Sequence, residues 1–278
     1  MAAARSAHSG ASTRHGRRDA VLSPAWTLLA VPAISLVLAW LFFSPWMPRA
    51  ALAGLREASA GWLQPTLVCA GLAGIVQLAL LFGPARQRGH DVGWRIAALP
   101  GALLAGIGLW LLMQAPALLQ GPEAWQRAAP WRDGLGVALG PLLAQLAATA
   151  WVEETVFRGW LWPQLSARLS AHVMPGAASI LAAGVSQAVF ALLHLPALLS
   201  GDAPVVGTLA VLFATGLVFV ALYAATGNLL VAVAVHALGN APTPLLQPPA
   251  GAPAPTMLLL AGTLALVIAA ALRRRMRR

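Results

Sequence analysis

The 278-residue sequence contains no lysine, and charged residues of either sign make up only 9% of it. Soluble domains carry roughly 25% charged residues, so the chain cannot cover a water-exposed surface. This excludes a soluble enzyme and a disordered protein. Cys69 is the only cysteine, which excludes an intrachain disulfide and a thiolate metal cluster. Hydrophobic residues, at 59%, dominate instead.

The apolar residues are gathered in about eight stretches of the kind that cross a membrane, which takes about 20 mostly apolar residues per helix. The sequence therefore predicts an all-α fold, a polytopic membrane helical bundle of about eight transmembrane helices. We expect a single transmembrane domain over 25–272 between basic cytoplasmic tails at 1–24 and 273–278. The stretches lie near 25–43, 61–83, 96–119, 135–162, 176–195, 204–225, 228–240 and 256–272.

The charge balance is one-sided, with 18 arginines against 8 acidic residues. A basic excess is also typical of nucleic-acid binding, but in so apolar a chain it is better explained as the charge that orients helices in a bilayer. Thirteen arginines fall in tails and loops on the side of the N-terminus and four on the other side. We therefore expect both termini to be cytoplasmic, the lipid bilayer as a partner, and no nucleic acid.

Three charges remain inside an apolar stretch: Glu153, Glu154 and Arg158. Each charged side chain costs roughly 2.5–3.5 kcal/mol at the centre of a membrane helix, so the presence of three of them must be explained by a structural or functional role. Glu154 and Arg158 are i,i+4 neighbours that can form an ion pair, whereas Glu153 points about 100° away. Either the three residues form a site, or a buried ion pair packs two helices while Glu153 faces a water-filled cleft.

Later apolar stretches carry three more polar side chains, His194, His236 and Asn240. A carboxylate hydrogen-bonded to an imidazole can deprotonate water, and a second imidazole with a carboxamide can stabilise an oxyanion. Glu153, His194 and His236 are equally a plausible zinc set. The residues alone leave both chemistries open.

Taken together, Glu153-Glu154-x-x-x-Arg158, Phe190-x-x-x-His194 and His236-x-x-x-Asn240 resemble the three motifs of the CAAX-protease and bacteriocin-processing (CPBP, or Abi) family. The resemblance covers about 135–240. It implies a hydrolase, an intramembrane endopeptidase that cleaves a membrane-associated peptide or protein with water activated by glutamate and histidine. It also implies an integral protein of the bacterial plasma (inner) membrane.

The resemblance further implies a role for each motif residue. Glu153 would activate water together with His194, and the Glu154–Arg158 ion pair would hold the geometry of the site. His236 and Asn240 would form the oxyanion site. The family is described both as metallopeptidase and as metal-free, so zinc stays open, with Glu153, His194 and His236 as its candidate ligands. The substrate, the cleavage site and the oligomeric state are not indicated.

Several alternatives remain beside this one. A non-enzymatic membrane protein, either a proton-coupled transporter or an immunity or scaffolding factor, also explains intramembrane carboxylates and histidines. A rhomboid-like pair of Ser186 with either histidine leaves the Glu pair unexplained, and the His-Glu-x-x-His motif of other membrane metalloproteases is absent.

The side of the membrane to which the site opens is a separate question. Counted from the cytoplasmic end of its predicted helix, His194 would lie about 27 Å deep in the membrane, and His236, counted in the same way, about 12 Å deep. These depths disagree, so that side stays undecided.

Overall fold

The computed structural model describes residues 21–277, which form a bundle of α-helices without a β-strand. Six helices are long and apolar enough to cross a membrane, and two shorter apolar helices bring the total to the predicted eight. The predicted all-α membrane bundle is confirmed. Most of the predicted basic tail, 1–20, lies outside the described residues.

The eleven helices of residues 21–277 are named here in chain order, and eight of them coincide with the predicted stretches. They are α1 (Thr27–Phe43), α2 (Arg49–Ala58), α3 (Pro65–Phe82), α4 (Leu99–Leu118), α5 (Ala129–Asp133), α6 (Leu135–Leu169), α7 (Pro175–Leu192), α8 (Leu195–Leu199), α9 (Val205–Thr226), α10 (Leu229–Asn240) and α11 (Pro255–Met276).

Two helices run further than their apolar stretches. At about 1.5 Å per residue, α6 is about 52 Å long, so it extends past a hydrocarbon layer of about 30 Å, and its last residues include Gln164 and Arg168. Likewise α11 continues to Met276, which places three arginines of the predicted 273–278 tail in its last turn. Positive charge there stabilises the carboxyl end of a helix. Apolarity marks the membrane segment but not the polar continuation of a helix.

The tight connection between α9 and α10 follows from two residues. Gly227 ends α9 with φ of 68°, a left-handed conformation that glycine adopts without a steric penalty. The Asn228 side chain then accepts a hydrogen bond from the Leu230 N–H at 3.0 Å and caps α10. The turn therefore returns the chain directly into the bundle.

Helix α10 lies at the centre of the bundle, in contact with α4, α6, α9 and α11. It is apolar on nearly all sides, as expected for a helix that is buried all round, and most of its residues are buried. Its 12 residues span only about 18 Å, less than the hydrocarbon thickness of about 30 Å. A helix of this length cannot cross the hydrocarbon layer by itself, so at least one end of α10 lies within the depth of the membrane.

Candidate active site

The two glutamates lie on α6 where the helix changes its winding. A π-helical segment, Gln145–Thr149, precedes Glu153 and Glu154, and a second, Thr155–Leu161, follows them and carries Arg158. Such π segments inside α-helices are rare and occur frequently at functional sites. The wider turns alter which side chains share a face of α6.

Glu154 and Arg158 form the ion pair expected from their spacing. Arg158 Nη1 lies 3.1 Å from Glu154 Oε1, and both side chains are fully buried. A buried charge is tolerated only when it is paired, so each residue requires the other. The pair fixes the geometry at the middle of α6.

Helices α7 and α9 complete the surroundings of the Arg158 guanidinium. Its central carbon lies 4.3 Å from the centre of the Phe190 ring and 5.3 Å from that of Phe219. Arg158 Nη2 donates to the Gly216 carbonyl at 3.5 Å. Cation–π contacts contribute about 2 kcal/mol when desolvated, so the two rings help to offset the cost of burying the charge.

His236 of α10 contacts both glutamates. Its Nδ1 lies 2.7 Å from Glu154 Oε1, its Nε2 lies 3.5 Å from Glu153 Oε2, and its ring stacks on Phe219 at 5.1 Å between centres. A neutral imidazole has one N–H and can donate to only one carboxylate, whereas an imidazolium donates to both. His236 therefore contacts one glutamate through each of its ring nitrogens.

Glu153 differs from Glu154 in its exposure. Its side chain is 26% exposed and faces a cavity of about 380 Å³ among α1, α3, α6 and the turn that follows α7, termed here the glutamate cavity. Polar side chains other than Glu153 that line this cavity are Ser35, Thr66, Gln77, Thr149, His194 and Asn240. Two adjacent carboxylates therefore have two environments, which is how one fold gives carboxyl groups different roles.

A second cavity adjoins the first. It has about 410 Å³, is bordered by α9, α10 and α11, and is lined mainly by apolar side chains, so it is termed here the apolar cavity. His194 and Asn240 line both cavities, and His236 lines the apolar one. The polar residues thus stand at the junction of two mostly apolar chambers, which is typical of ligand sites.

His194 and Asn240 both lie where a helix ends inside the bundle. His194 follows α7 and precedes Pro196 of α8, and its Nδ1 forms a hydrogen bond with the Phe190 carbonyl at 2.9 Å. The Phe190 ring is also 6.2 Å from that of His236. The disagreement in depth is thereby removed, since both histidines line the same cavity. Within residues 21–277, however, His194 makes no ion-pair contact with Glu153.

Two glutamines that the sequence motifs did not indicate complete the site. Gln145 accepts a hydrogen bond from Asn240 Nδ2 at 2.9 Å, and Gln187 of α7 is fully buried beside Arg158 and Gly216. Gln145 lies eight residues before Glu153 and Thr149 four before it, a spacing that places all three on one side of α6. This spacing was a usable signal in the sequence.

The candidate zinc ligands are not arranged as a ligand set. Among residues 21–277, no three His, Cys, Asp or Glu side chains converge to hold a metal ion. Both ring nitrogens of His236 face carboxylates. This arrangement does not fit zinc, and the reaction proposed below uses no metal ion.

Gly216 is required by the close packing around Arg158. A Cβ at this position would lie 2.6 Å from Gln187 Oε1 and 3.1 Å from Arg158 Nη2. We expect Gly216→Ala to lower the free energy of unfolding by about 1–3 kcal/mol through overpacking. Thermal unfolding in detergent measures this change.

Gly207 on the same helix is the matched control, since a Cβ there meets nothing within 4 Å. Gly207→Ala is expected to be neutral or stabilising, because alanine favours a helix over glycine by about 1 kcal/mol. Equal stability of the two variants would show that the packing around position 216 does not require a glycine.

Residues 136–242 match the sequence model of one protein family, which is described as type II CAAX prenyl endopeptidase Rce1-like. The match runs from the beginning of α6 to just beyond α10 and contains all six candidate site residues. It confirms the resemblance to the CAAX-protease family and indicates a hydrolase of that type in a membrane protein. No curated protein and no solved structure matches the chain significantly.

Proposed function

We propose that this chain, whose residues 136–242 match the CAAX-protease family, is an intramembrane endopeptidase that uses Glu153 to activate water. The observation that carries the proposal is the contrast between the two glutamates. Glu154 is locked by Arg158 and His236, while Glu153 faces a cavity that also presents His194 and Asn240.

The proposed reaction begins with a water molecule in the glutamate cavity between Glu153 and His194. Glu153 takes its proton while the water oxygen attacks the carbonyl carbon of the scissile peptide bond. The carbonyl oxygen becomes an oxyanion that accepts hydrogen bonds from Asn240 Nδ2 and from Nε2 of a His236 ring that carries a proton on each nitrogen. Glu153 then returns the proton to the leaving amine as the carbon–nitrogen bond breaks.

The Glu154–Arg158 pair acts in this scheme without touching substrate. Glu154 accepts from His236 Nδ1, which leaves Nε2 as the nitrogen available to the reaction, and the tautomer of a histidine is set by the partner of its other nitrogen. Arg158 pairs with the Glu154 carboxylate in an apolar surrounding. These two residues therefore position His236.

The two mostly apolar cavities suit a substrate that is itself anchored in the bilayer. A peptide lying across the junction would place its scissile bond beside Glu153 and its apolar part against α9 and α11. The description of the matched family names CAAX prenyl substrates, in which the cysteine carries a prenyl group. We propose a membrane-associated peptide of this general kind.

A direct test uses the purified protein in liposomes with a set of membrane peptides that includes prenylated CaaX peptides and unmodified apolar peptides. We expect at least one peptide to be cleaved at a defined bond, as read by mass spectrometry, and not in protein-free liposomes. Absence of cleavage across the whole set would contradict the proposal.

Removing metal is expected to leave this activity unchanged. Because the proposed water activation uses Glu153 and His194 alone, dialysis against a strong zinc chelator should not lower the cleavage rate. Metal content before and after dialysis, measured by mass spectrometry, gives the control. Loss of activity that added zinc restores would overturn the metal-free scheme.

The non-enzymatic alternative is not favoured by the family match. A transporter would place its polar groups along a path through the membrane, whereas here they surround one glutamate at the junction of the two cavities. We further propose a location in the bacterial plasma membrane with both termini cytoplasmic, supported by the distribution of arginines.

A further inference from the structure

We infer that Gln145 is a positioning residue that orients the Asn240 carboxamide for the reaction, an inference that rests on the proposed function. Asn240 lies at the last position of α10 and is exposed in the junction of the two cavities. A side chain at a helix end and open to a cavity has several rotamers available. Something must select the one that faces the scissile carbonyl.

Gln145 supplies that selection through one hydrogen bond. Asn240 Nδ2 donates to Gln145 Oε1 at 2.9 Å, between residues 95 positions apart in the sequence. A carboxamide nitrogen carries two hydrogens. With one hydrogen held by Gln145, the second has a fixed direction and is available to an oxyanion.

The winding of α6 brings Gln145 to this place. Residues four apart in a regular α-helix drift by about 40° around the axis, and a wider π turn reverses part of that drift. The π segment Gln145–Thr149 therefore keeps Gln145, Thr149 and Glu153 on one side of α6. The water-activating glutamate and the support of the oxyanion donor thus share one helix face.

The test is a set of variants in the liposome cleavage assay, with kcat and KM measured separately. Gln145→Met lacks the carboxamide oxygen that accepts from Asn240 and is expected to lower kcat on the order of 100-fold with KM nearly unchanged, as for a misplaced catalytic group. Gln145→Glu is almost isosteric and only accepts, so it should retain most of kcat. Gln120→Met, the same substitution in an exposed loop, is the control and should behave as the parent protein.

A double variant separates positioning from a general structural role. In the Asn240→Ala background, Gln145→Met should have no further effect on kcat, because the side chain that Gln145 orients is gone. An undiminished kcat for Gln145→Met would overturn the inference, and so would a full additional loss in the Asn240→Ala background. Failure of the parent protein to cleave any peptide would instead contradict the proposed function itself.

Discussion

Replacing Glu153 with glutamine is expected to lower kcat for peptide cleavage by about 10³-fold, since general base catalysis contributes roughly 10²–10⁴-fold. Glutamine has nearly the shape of glutamate but cannot take a proton from water. The Glu153 side chain is partly exposed in its cavity, so its replacement leaves the buried core unchanged. Single-turnover cleavage in liposomes measures the loss, and thermal unfolding checks that the fold is intact.

Glu123 provides the matched control for this change, since it is an exposed acidic residue in the loop between α4 and α5. Glu123→Gln should cleave at the parental rate. If Glu153→Gln also cleaved at that rate on the same peptide, Glu153 would not be the base, and the assignment of the site would be wrong.

The second large effect is expected on stability and concerns Arg158. Removing one partner of a buried ion pair leaves an uncompensated charge and costs about 3–5 kcal/mol. Arg158→Met keeps the length of the side chain but leaves the fully buried Glu154 carboxylate without its positively charged partner. We expect a loss of that size in the free energy of unfolding, measured by denaturant titration in detergent, together with loss of cleavage.

A double variant distinguishes the stranded charge from lost packing. In Glu154→Gln/Arg158→Met no buried charge is left unpaired, and the glutamine carbonyl can still accept from His236 Nδ1. Most of the lost stability should therefore return. If the double variant were as unstable as Arg158→Met alone, the contacts of Arg158 with Phe190 and Phe219, and not its charge, would account for the loss.

Much of this arrangement follows from the cost of charge in an apolar chain. Because each charge in a membrane helix is expensive, the few that occur inside apolar stretches, Glu153, Glu154 and Arg158, could be recognised as a group. Their spacing predicted the ion pair and the different direction of Glu153. The positions of eight helices followed from apolar length in the same way.

The contacts between helices could not be predicted from such patterns. His236 reaches Glu154 across 82 positions in the sequence, and which of its nitrogens does so depends on how α10 packs against α6. Uncharged amides such as Gln145 and Gln187 stand out less than charges, so the hydrogen bond to Asn240 was not foreseen. The π segments depend on tertiary packing and have no simple sequence signal.

Helix α2 was missed for a different reason. Its ten residues carry both apolar and charged side chains, so it has neither the length nor the apolarity of a membrane-spanning helix. Its apolar and charged residues lie on opposite sides, as in helices at membrane surfaces. A search for long apolar stretches alone does not detect an amphipathic segment of this kind.

The central claim is that Glu153 delivers a water molecule to a peptide bond, and the most direct test is the origin of the oxygen in the product. Cleavage in oxygen-18 water should place one heavy oxygen in each new carboxyl terminus formed by the parent protein, and Glu153→Gln should form almost no labelled product. Labelled product formed by Glu153→Gln at the parental rate, or no labelled product from the parent protein, would contradict the claim.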